Sequence, residues 1–130
     1  MTPERRAEIV KYRKEKSLAL LEEVDILLAN KLANSSVNRM YYACFHAVSA
    51  LMIKNNIEVH THSGIRQAFS LNFVKNGFIS IEDARIFSRI YDKRQASDYD
   101  DFMNFSLEEV NKLYPNVKKF VETVIHLIEQ

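Results

Sequence analysis

The stretch from Ser35 to Met52 carries the residues whose types and spacing could perform chemistry. At 100° of rotation per helical residue, six polar residues fall within an arc of about 100°, and most apolar residues lie on the other side. The six are Ser35, Asn38, Arg39, Tyr42, His46 and Ser49. A guanidinium grips phosphate oxygens in a forked geometry, and an imidazole moves protons near neutral pH. Since neither lysine nor carboxylate occurs in this stretch, it predicts a phosphate-chemistry site. The alternative is the solvated face of an amphipathic helix.

Three strings in the chain are informative when they are taken together. The first string is Asn38-Arg39-x-Tyr41-Tyr42-Ala43-x-Phe45-His46. The second is His62-Ser63-Gly64, followed by Phe69 and Phe73-Val74, and the third is Arg94-x-x-Ser97-Asp98-Tyr99-Asp100. In this order they resemble signatures of the HEPN domain, a helical family named for nucleotide binding in higher eukaryotes and prokaryotes, with serine at position 97 where the family has alanine. Because the resemblance covers about residues 15–128, it predicts the HEPN fold.

The resemblance implies an activity as well as a fold. Many HEPN proteins are ribonucleases that need no metal, and their mark is an arginine followed, after four to six residues, by a histidine. Arg39 and His46, with six residues between them, fit the upper limit of that spacing. We therefore expect Arg39 and His46 to be catalytic, with no metal and no cofactor. The residues expected to bind the substrate are Asn38, Tyr42 and Arg94.

A mechanism follows from these two groups. His46, near its ordinary pKa of about 6.5, would take the 2′-hydroxyl proton or protonate the leaving 5′-oxygen. Arg39 would hold the phosphoryl oxygens and stabilise the developing charge, giving a 2′,3′-cyclic phosphate and a 5′-hydroxyl. Met40, however, follows Arg39 where ribonuclease members typically have a polar residue. This departure favours a non-catalytic nucleotide- or RNA-binding module, and a dimeric scaffold is the third alternative.

The resemblance also implies partners. Family members commonly form dimers in which two such helices face each other across one cleft. Small members are often paired with a minimal nucleotidyltransferase in toxin–antitoxin modules. We therefore expect a homodimer that binds RNA or a nucleotide, with a minimal nucleotidyltransferase as partner. Ile53, on the same helix side as Arg39 and His46, makes a self-complementary patch reasonable.

Composition and charge exclude several other classes of protein. The net charge of +1 predicts neither nucleic-acid nor membrane attraction by bulk charge. The only two glycines, Gly64 and Gly77, stand too far apart for a phosphate-cradling loop. Cys44 is the only cysteine and cannot form an internal disulfide. Since the charged N-terminal stretch lacks a signal-peptide pattern and no apolar run reaches about 18 residues, we expect a cytoplasmic protein that does not enter a membrane.

Other clusters are weaker candidates. His60 and His62 flank Thr61 and could ligate a metal, although a capping or packing role for His62 is favoured. A basic line on one helix face is either a solvated stripe or an RNA-backbone contact; it consists of Arg85, Arg89 and Lys93. In the acidic segment 98–101, Asp98 or Asp100 is expected to pair with Arg94 or to orient Arg39. The basic residues of the N-terminal helix alternate with glutamates, which predicts a solvated face.

Five helices with short joints must position these residues. The 130 residues, 47 % of them apolar, suggest one domain spanning 1–130. The apolar spacing predicts helices over about 3–30, 36–55, 63–77, 80–96 and 106–128, hence an all-α, five-helix up-and-down bundle. Residues 34–36 are predicted to cap the second helix, 97–105 to be irregular, and Ser106 with Glu109 to form a capping box. Pro115 is expected to kink the last helix.

Overall fold

Five helices are observed, close to the predicted positions. The computed structural model describes residues 1–100 and 102–130. Its helices are α1 (Pro3–Ala29), α2 (Ala33–Lys54), α3 (His62–Phe69), α4 (Ile81–Tyr99) and α5 (Leu107–Ile128). After α3 the chain continues through a wider π-helical turn, Ser70–Val74. Since the described residues contain no strand, the predicted all-α, five-helix bundle is confirmed.

Two helix starts follow the predicted capping signals. The Ser80 hydroxyl accepts a hydrogen bond from the Asp83 backbone N–H at 3.1 Å. Ser106 and Glu109 form a complete capping box, in which each side chain accepts from the other residue's backbone N–H. Both contacts satisfy N–H groups that have no partner inside the helix. Beyond its cap, α5 continues through Pro115 to Ile128.

Two predicted boundaries are wrong. Helix α2 already begins at Ala33 and has no side-chain cap, so residues 34–36 lie inside it. Asn34 is used elsewhere: its Oδ1 accepts from the Phe105 N–H at 2.9 Å and ties α2 to the loop before α5. Helix α4 extends to Tyr99, so the start of the segment predicted to be irregular is helical. In both places tertiary contacts outweigh the local preference of polar residues for caps and turns.

Contacts between the helices give their directions. Arg13 lies beside His46, Ser17 beside Ala43 and Glu23 beside Arg39, which makes α1 and α2 antiparallel. The Lys54 ammonium donates to the Ile128 carbonyl at the end of α5. A cation at this position complements the unpaired carbonyls of a helix C-terminus. It also places the ends of α2 and α5 side by side.

The segment between α2 and α3 changes the alternation of helix directions. The His62 ring lies 5.7 Å from the ring of Tyr41, in the middle of α2. Phe73, further along the chain, lines a cavity together with Leu51 and Lys54 near the end of α2. Residues 55–61 therefore run back along α2, and α3 follows the direction of α2. This return places His62 beside the central part of α2.

The core is built around α2, which buries twelve of its residues. A second part of the core is aromatic: the Phe69, Phe87 and Phe120 rings of α3, α4 and α5 lie 5.6–5.8 Å apart. Such edge-to-face and stacked pairs stabilise a core beyond the area they bury. No helix in the described part of the chain is both long and apolar enough to cross a membrane.

A buried tyrosine ties α5 to α1 and gives a stability test. The Tyr114 hydroxyl donates to the Leu21 carbonyl at 2.9 Å and to Asp25 Oδ1 at 2.7 Å. We expect Tyr114→Phe to lower the free energy of unfolding by about 1–3 kcal/mol, because one of these partners is charged. Urea unfolding followed by circular dichroism measures the change. The control is Tyr12→Phe, which alters an exposed side chain; equal losses in both variants would contradict the role of the bond.

Candidate functional site

Polar side chains of α1 and α2 meet along a groove of about 280 Å³, called the α1–α2 groove below. Its lining residues are Lys16, Leu20, Glu23, Asn38, Arg39, Tyr42 and His46. The antiparallel packing brings the second half of α1 opposite the first half of α2. Four of the five predicted site residues therefore line one groove. The fifth, Arg94, lies behind Tyr42 and is not part of the lining.

Arg39 is held by two neighbours. Its Nε lies 3.4 Å from Glu23 Oε1, and one terminal nitrogen donates to Asn38 Oδ1 at 2.6 Å. The Arg39 and Glu23 side chains are 43 % and 47 % exposed. An ion pair this exposed contributes about 0–1 kcal/mol, so a phosphate can displace Glu23 at little cost. The stripe on α2 has no carboxylate of its own, but α1 supplies one.

His46 is held by a guanidinium. A terminal nitrogen of Arg13 lies 3.1 Å from His46 Nδ1. Burial is the main reason that the pKa of His46 falls to about 4, with Arg13 and Lys16 adding to the shift. A neutral imidazole avoids a desolvated charge next to two cations. The expectation of an ordinary pKa near 6.5 is therefore wrong for His46.

The Arg13 contact also fixes the tautomer of His46. A guanidinium only donates hydrogen bonds, so Nδ1 is the acceptor and the proton of the neutral ring lies on Nε2. In this state Nε2 can donate to a phosphoryl oxygen but cannot accept a proton. The imidazole becomes a base when Arg13 moves away from Nδ1.

Arg94 connects Tyr42 to the end of α4. One of its terminal nitrogens donates to the Tyr42 hydroxyl at 3.0 Å and lies 3.2 Å from Asp98 Oδ2. The guanidinium also lies over the Tyr41 and Tyr42 rings, at 4.9 and 5.2 Å. Among the described residues, no group accepts a hydrogen bond from the buried Arg94 Nε. In this arrangement Arg94 orients Tyr42 from behind.

An aromatic layer supports Tyr42 and His46. The Phe45 ring stacks on His62 with centroids 4.5 Å apart, and it lies edge-to-face with His46 at 5.6 Å. The Tyr41 hydroxyl and His62 Nδ1 lie 2.5 Å apart. Burial raises the pKa of Tyr41, and burial with Arg94 nearby lowers that of His62. His62 therefore packs against the aromatic rings of α2, which is one of the two roles favoured for it, while Thr61 caps α3 by accepting from the Gly64 N–H.

The contribution of α1 was missed by the sequence pattern. Arg13 and Lys16 belong to the basic residues predicted to form a solvated helix face, and no prediction from the sequence names Glu23, yet each of the three contacts or lines the groove. Positions 6, 13, 16, 20 and 23 fall within about 100° on a helical wheel. That stripe was the available signal, but charged residues on the opposite face of α1 concealed it.

The acidic segment is assigned in part. Asp98 pairs with Arg94, as one of the two predicted alternatives required. Asp100 instead accepts from the Phe102 backbone N–H at 2.9 Å. Asp101 lies outside the described residues. Over 1–100 and 102–130, no three histidine, cysteine or acidic side chains are grouped so that they could hold a metal ion.

Of the basic line on α4, Lys93 has a carboxylate partner among the described residues. Lys93 lies 3.5 Å from Glu109 of α5, and Asp92 pairs with Arg66 of α3 at the same distance. Arg85 and Arg89 are exposed and border an open groove of about 620 Å³. An RNA-backbone contact at these two arginines stays a prediction.

Comparison with known families and proteins decides the family. The family model of the HEPN domain matches residues 10–127. The chain belongs to the HEPN domain family. A UPF0332 protein of Thermotoga maritima is 32 % identical over 121 residues, covering 93 % of this HEPN chain and 92 % of the relative.

Two other relatives come from Methanocaldococcus jannaschii, and both carry names that designate them as candidate toxins. One is 38 % identical to this HEPN chain over 79 residues, which is 61 % of this chain and 59 % of the relative. The other is 30 % identical over 99 residues, or 76 % of this chain and 67 % of the relative. The three strings that resemble HEPN signatures all lie within residues 10–127, the range that the family model matches.

The environment of His46 gives a spectroscopic prediction. We expect its ring to titrate near pH 4, measured by NMR of the imidazole carbons. Arg13→Gln removes one neighbouring charge and should raise the midpoint, though not fully to about 6.5, because burial is the larger cause. Arg5→Gln, on the exposed side of α1, should leave it unchanged.

A pH dependence of stability follows from the same shift. Below about pH 6.5 the His46 ring becomes protonated in the unfolded chain, whereas in the folded protein it stays neutral until the pH approaches 4. The free energy of unfolding should therefore fall as the pH is lowered from about 6.5 towards 4, and this fall should be smaller in Arg13→Gln. An NMR titration midpoint near pH 6.5 for the His46 ring of the wild-type protein would contradict the environment assigned to this side chain.

Proposed function

We propose that this HEPN protein is a metal-independent endoribonuclease whose catalytic groups are Arg39 and His46. The observation that supports the proposal best is that the two side chains, two turns apart on α2, open into one groove. A guanidinium and an imidazole in one groove can bind a phosphodiester and move its protons. Asn38 and Tyr42 line the same groove and are proposed to position the phosphate or the ribose.

The electrostatics of the groove suit an anionic substrate. Arg39, Lys16 and the adjoining Arg13 supply three fixed positive charges, whereas Glu23 supplies one negative charge. The Arg39–Glu23 pair is exposed and weak, so a phosphodiester can take the place of Glu23. Such hydrogen bonds between a guanidinium and phosphate oxygens are stronger than those between neutral groups.

The proposed reaction is an internal transesterification. The ribose 2′-oxygen attacks the adjacent phosphorus while the bond from phosphorus to the 5′-oxygen breaks. His46 takes the proton from the 2′-hydroxyl, the imidazolium so formed or a water molecule gives a proton to the leaving 5′-oxygen, and Arg39 stabilises the charge on the phosphoryl oxygens. Substrate phosphate would attract Arg13 from His46 Nδ1 and so free the ring to accept a proton. The products are a 2′,3′-cyclic phosphate and a 5′-hydroxyl.

A non-catalytic nucleotide- or RNA-binding module is the second candidate, and Met40 favours it. The Met40 side chain is fully buried, so the position after Arg39 offers no polar group to the groove. The tautomer of His46 that the Arg13 contact fixes also suits hydrogen bonding to phosphate rather than proton abstraction. Both candidates use the same groove and differ in whether the phosphodiester is broken.

A role as a toxin is part of the proposal. The two Methanocaldococcus jannaschii relatives are named as candidate toxins, and cleavage of cellular RNA would explain such a role here. We further propose a minimal nucleotidyltransferase as the neutralising partner, as the family resemblance implies. We also propose the cytoplasm as the compartment, because RNA and such a partner would be met there. A dimeric scaffold for that partner would need neither Arg39 nor His46.

The dimer is a separate proposal with its own test. Two copies that face each other across α2 would bring two sets of Arg39 and His46 into one cleft, so that one imidazole could act as base and the other as acid. Sedimentation or light scattering at tens of micromolar should give about twice the chain's 15.2 kDa. A monomer at that concentration would remove the shared cleft from the proposal.

The ribonuclease proposal predicts a clear mutational result. His46→Ala should reduce cleavage of single-stranded RNA by at least about 100-fold, the low end of general acid–base catalysis. Arg39→Ala should lose as much or more, because it also removes phosphate binding. EDTA should leave the rate unchanged, and the products should carry 2′,3′-cyclic phosphate ends.

The matched control is His126→Ala, which removes an exposed histidine on α5 outside the groove. It should cleave RNA at the wild-type rate. If the wild-type protein cleaves no RNA, or if folded His46→Ala cleaves as fast as wild type, the ribonuclease proposal is wrong. RNA binding that still depends on Arg39 would then support the binding module.

A further inference from the structure

A second groove, of about 420 Å³, adjoins the α1–α2 groove. It lies between the first half of α1, the last part of α2 and residues 57–60. Arg6 and Arg13 stand on its α1 side, two helical turns apart and therefore about 10.5 Å apart along the axis. The rest of the lining comes mainly from α2 and residues 56–60: its apolar part, called the apolar wall below, includes Met52, Ile57 and Val59, and its polar part includes Ser49, Asn56 and His60. Its volume lies within the range typical of small-molecule sites.

The two guanidiniums are available to an anion. In the part of the chain that the structure describes, neither Arg6 nor Arg13 has a carboxylate oxygen within 4.0 Å, whereas the adjacent Arg5 pairs with Glu8 at 3.3 Å. The hydrogen-bond partner of the Arg13 guanidinium is the neutral ring of His46. Glu58 also lines the groove, which leaves two fixed positive charges against one negative charge.

The chemistry of the groove lining indicates which chemical groups are attached to the anion. Paired guanidiniums bind phosphate oxygens, and an apolar wall can cover the face of a base. Arg13 lines the second groove and also contacts His46 of the α1–α2 groove, so the two grooves meet at this residue. We propose that the second groove is a nucleotide subsite, in which Arg6 and Arg13 hold a phosphate and the apolar wall packs against the base.

This subsite goes beyond the proposed function, because it lies in a different groove and uses Arg6 and Glu58, which do not line the α1–α2 groove. Two sources could supply its nucleotide: a free nucleoside phosphate, or the nucleotide next to the one bound at Arg39 in an RNA strand. The shared chemistry is a phosphate attached to a ribose and a base. Two probes separate the sources: adenosine 5′-monophosphate, and a fluorescent tetranucleotide whose 2′-O-methyl groups prevent cleavage.

Dissociation constants of both probes should be measured for wild type and for four variants, which are Arg5→Gln, Arg6→Gln, Arg39→Ala and Glu58→Gln. Arg6→Gln should weaken one or both probes by about tenfold or more, since a charged hydrogen bond is lost. The matched control Arg5→Gln changes a neighbouring charge that points away from the groove and should change binding by less than twofold. Glu58→Gln should strengthen binding, because it removes the negative charge, and this gain cannot result from misfolding.

The pattern of losses decides the outcome. Weaker binding of both probes in Arg6→Gln supports the subsite for free nucleotides, and weaker binding of the tetranucleotide alone supports an RNA subsite. Equal effects of Arg6→Gln and Arg5→Gln, or no binding of either probe by wild type, would overturn it. Binding that depends on Arg6 in a protein without ribonuclease activity would refute the proposed function and retain the subsite. If tetranucleotide binding is lost in Arg39→Ala but is unaffected by Arg6→Gln, the subsite is refuted and the proposed function is retained.

Discussion

The antiparallel packing of α1 against α2 is the contact on which the rest of the structure depends. Its polar centre is the Ser17 hydroxyl, which is fully buried and donates to the Ala43 carbonyl at 2.6 Å. A small hydroxyl at this position lets the two backbones approach closely without an unsatisfied polar group. Arg13 meets His46 on one side of this bond, and Glu23 meets Arg39 on the other. The α1–α2 groove is therefore a direct product of the register between the two helices.

In the α1–α2 groove, the charge of Arg39 and the lone pair of His46 Nδ1 both have partners within the protein. Glu23 neutralises part of the charge of Arg39, and Arg13 occupies the lone pair of His46. In the proposed function each contact would give way to a phosphate, because the ion pair is exposed and Arg13 would gain a charged acceptor in place of a neutral one. Substrate binding and the release of the His46 ring would then be coupled through Arg13.

The back of the site is held by contacts on several sides. Arg94 joins Tyr42 to Asp98 and lies over two tyrosine rings, while Phe45 is stacked on His62. Cation–π and aromatic contacts of this kind fix ring orientation through packing on several sides. These contacts therefore orient Tyr42 and His46 towards the groove.

Sequence alone determined the helices, the stripe with Arg39 and His46, and the family, because helical periodicity and the three strings are local properties of the chain. Asn38, Tyr42 and the capping box of Ser106 belong to the same local information. Only the tertiary structure decided that Arg13, Lys16 and Glu23 complete the groove, that Arg94 lies behind it, and that the pKa of His46 is about 4. These features depend on how closely the helices approach each other and on which side chains they bury. The spacing of residues within one helix contains no information on either. The early start of α2 has the same origin, since Asn34 bonds to a loop some seventy residues away.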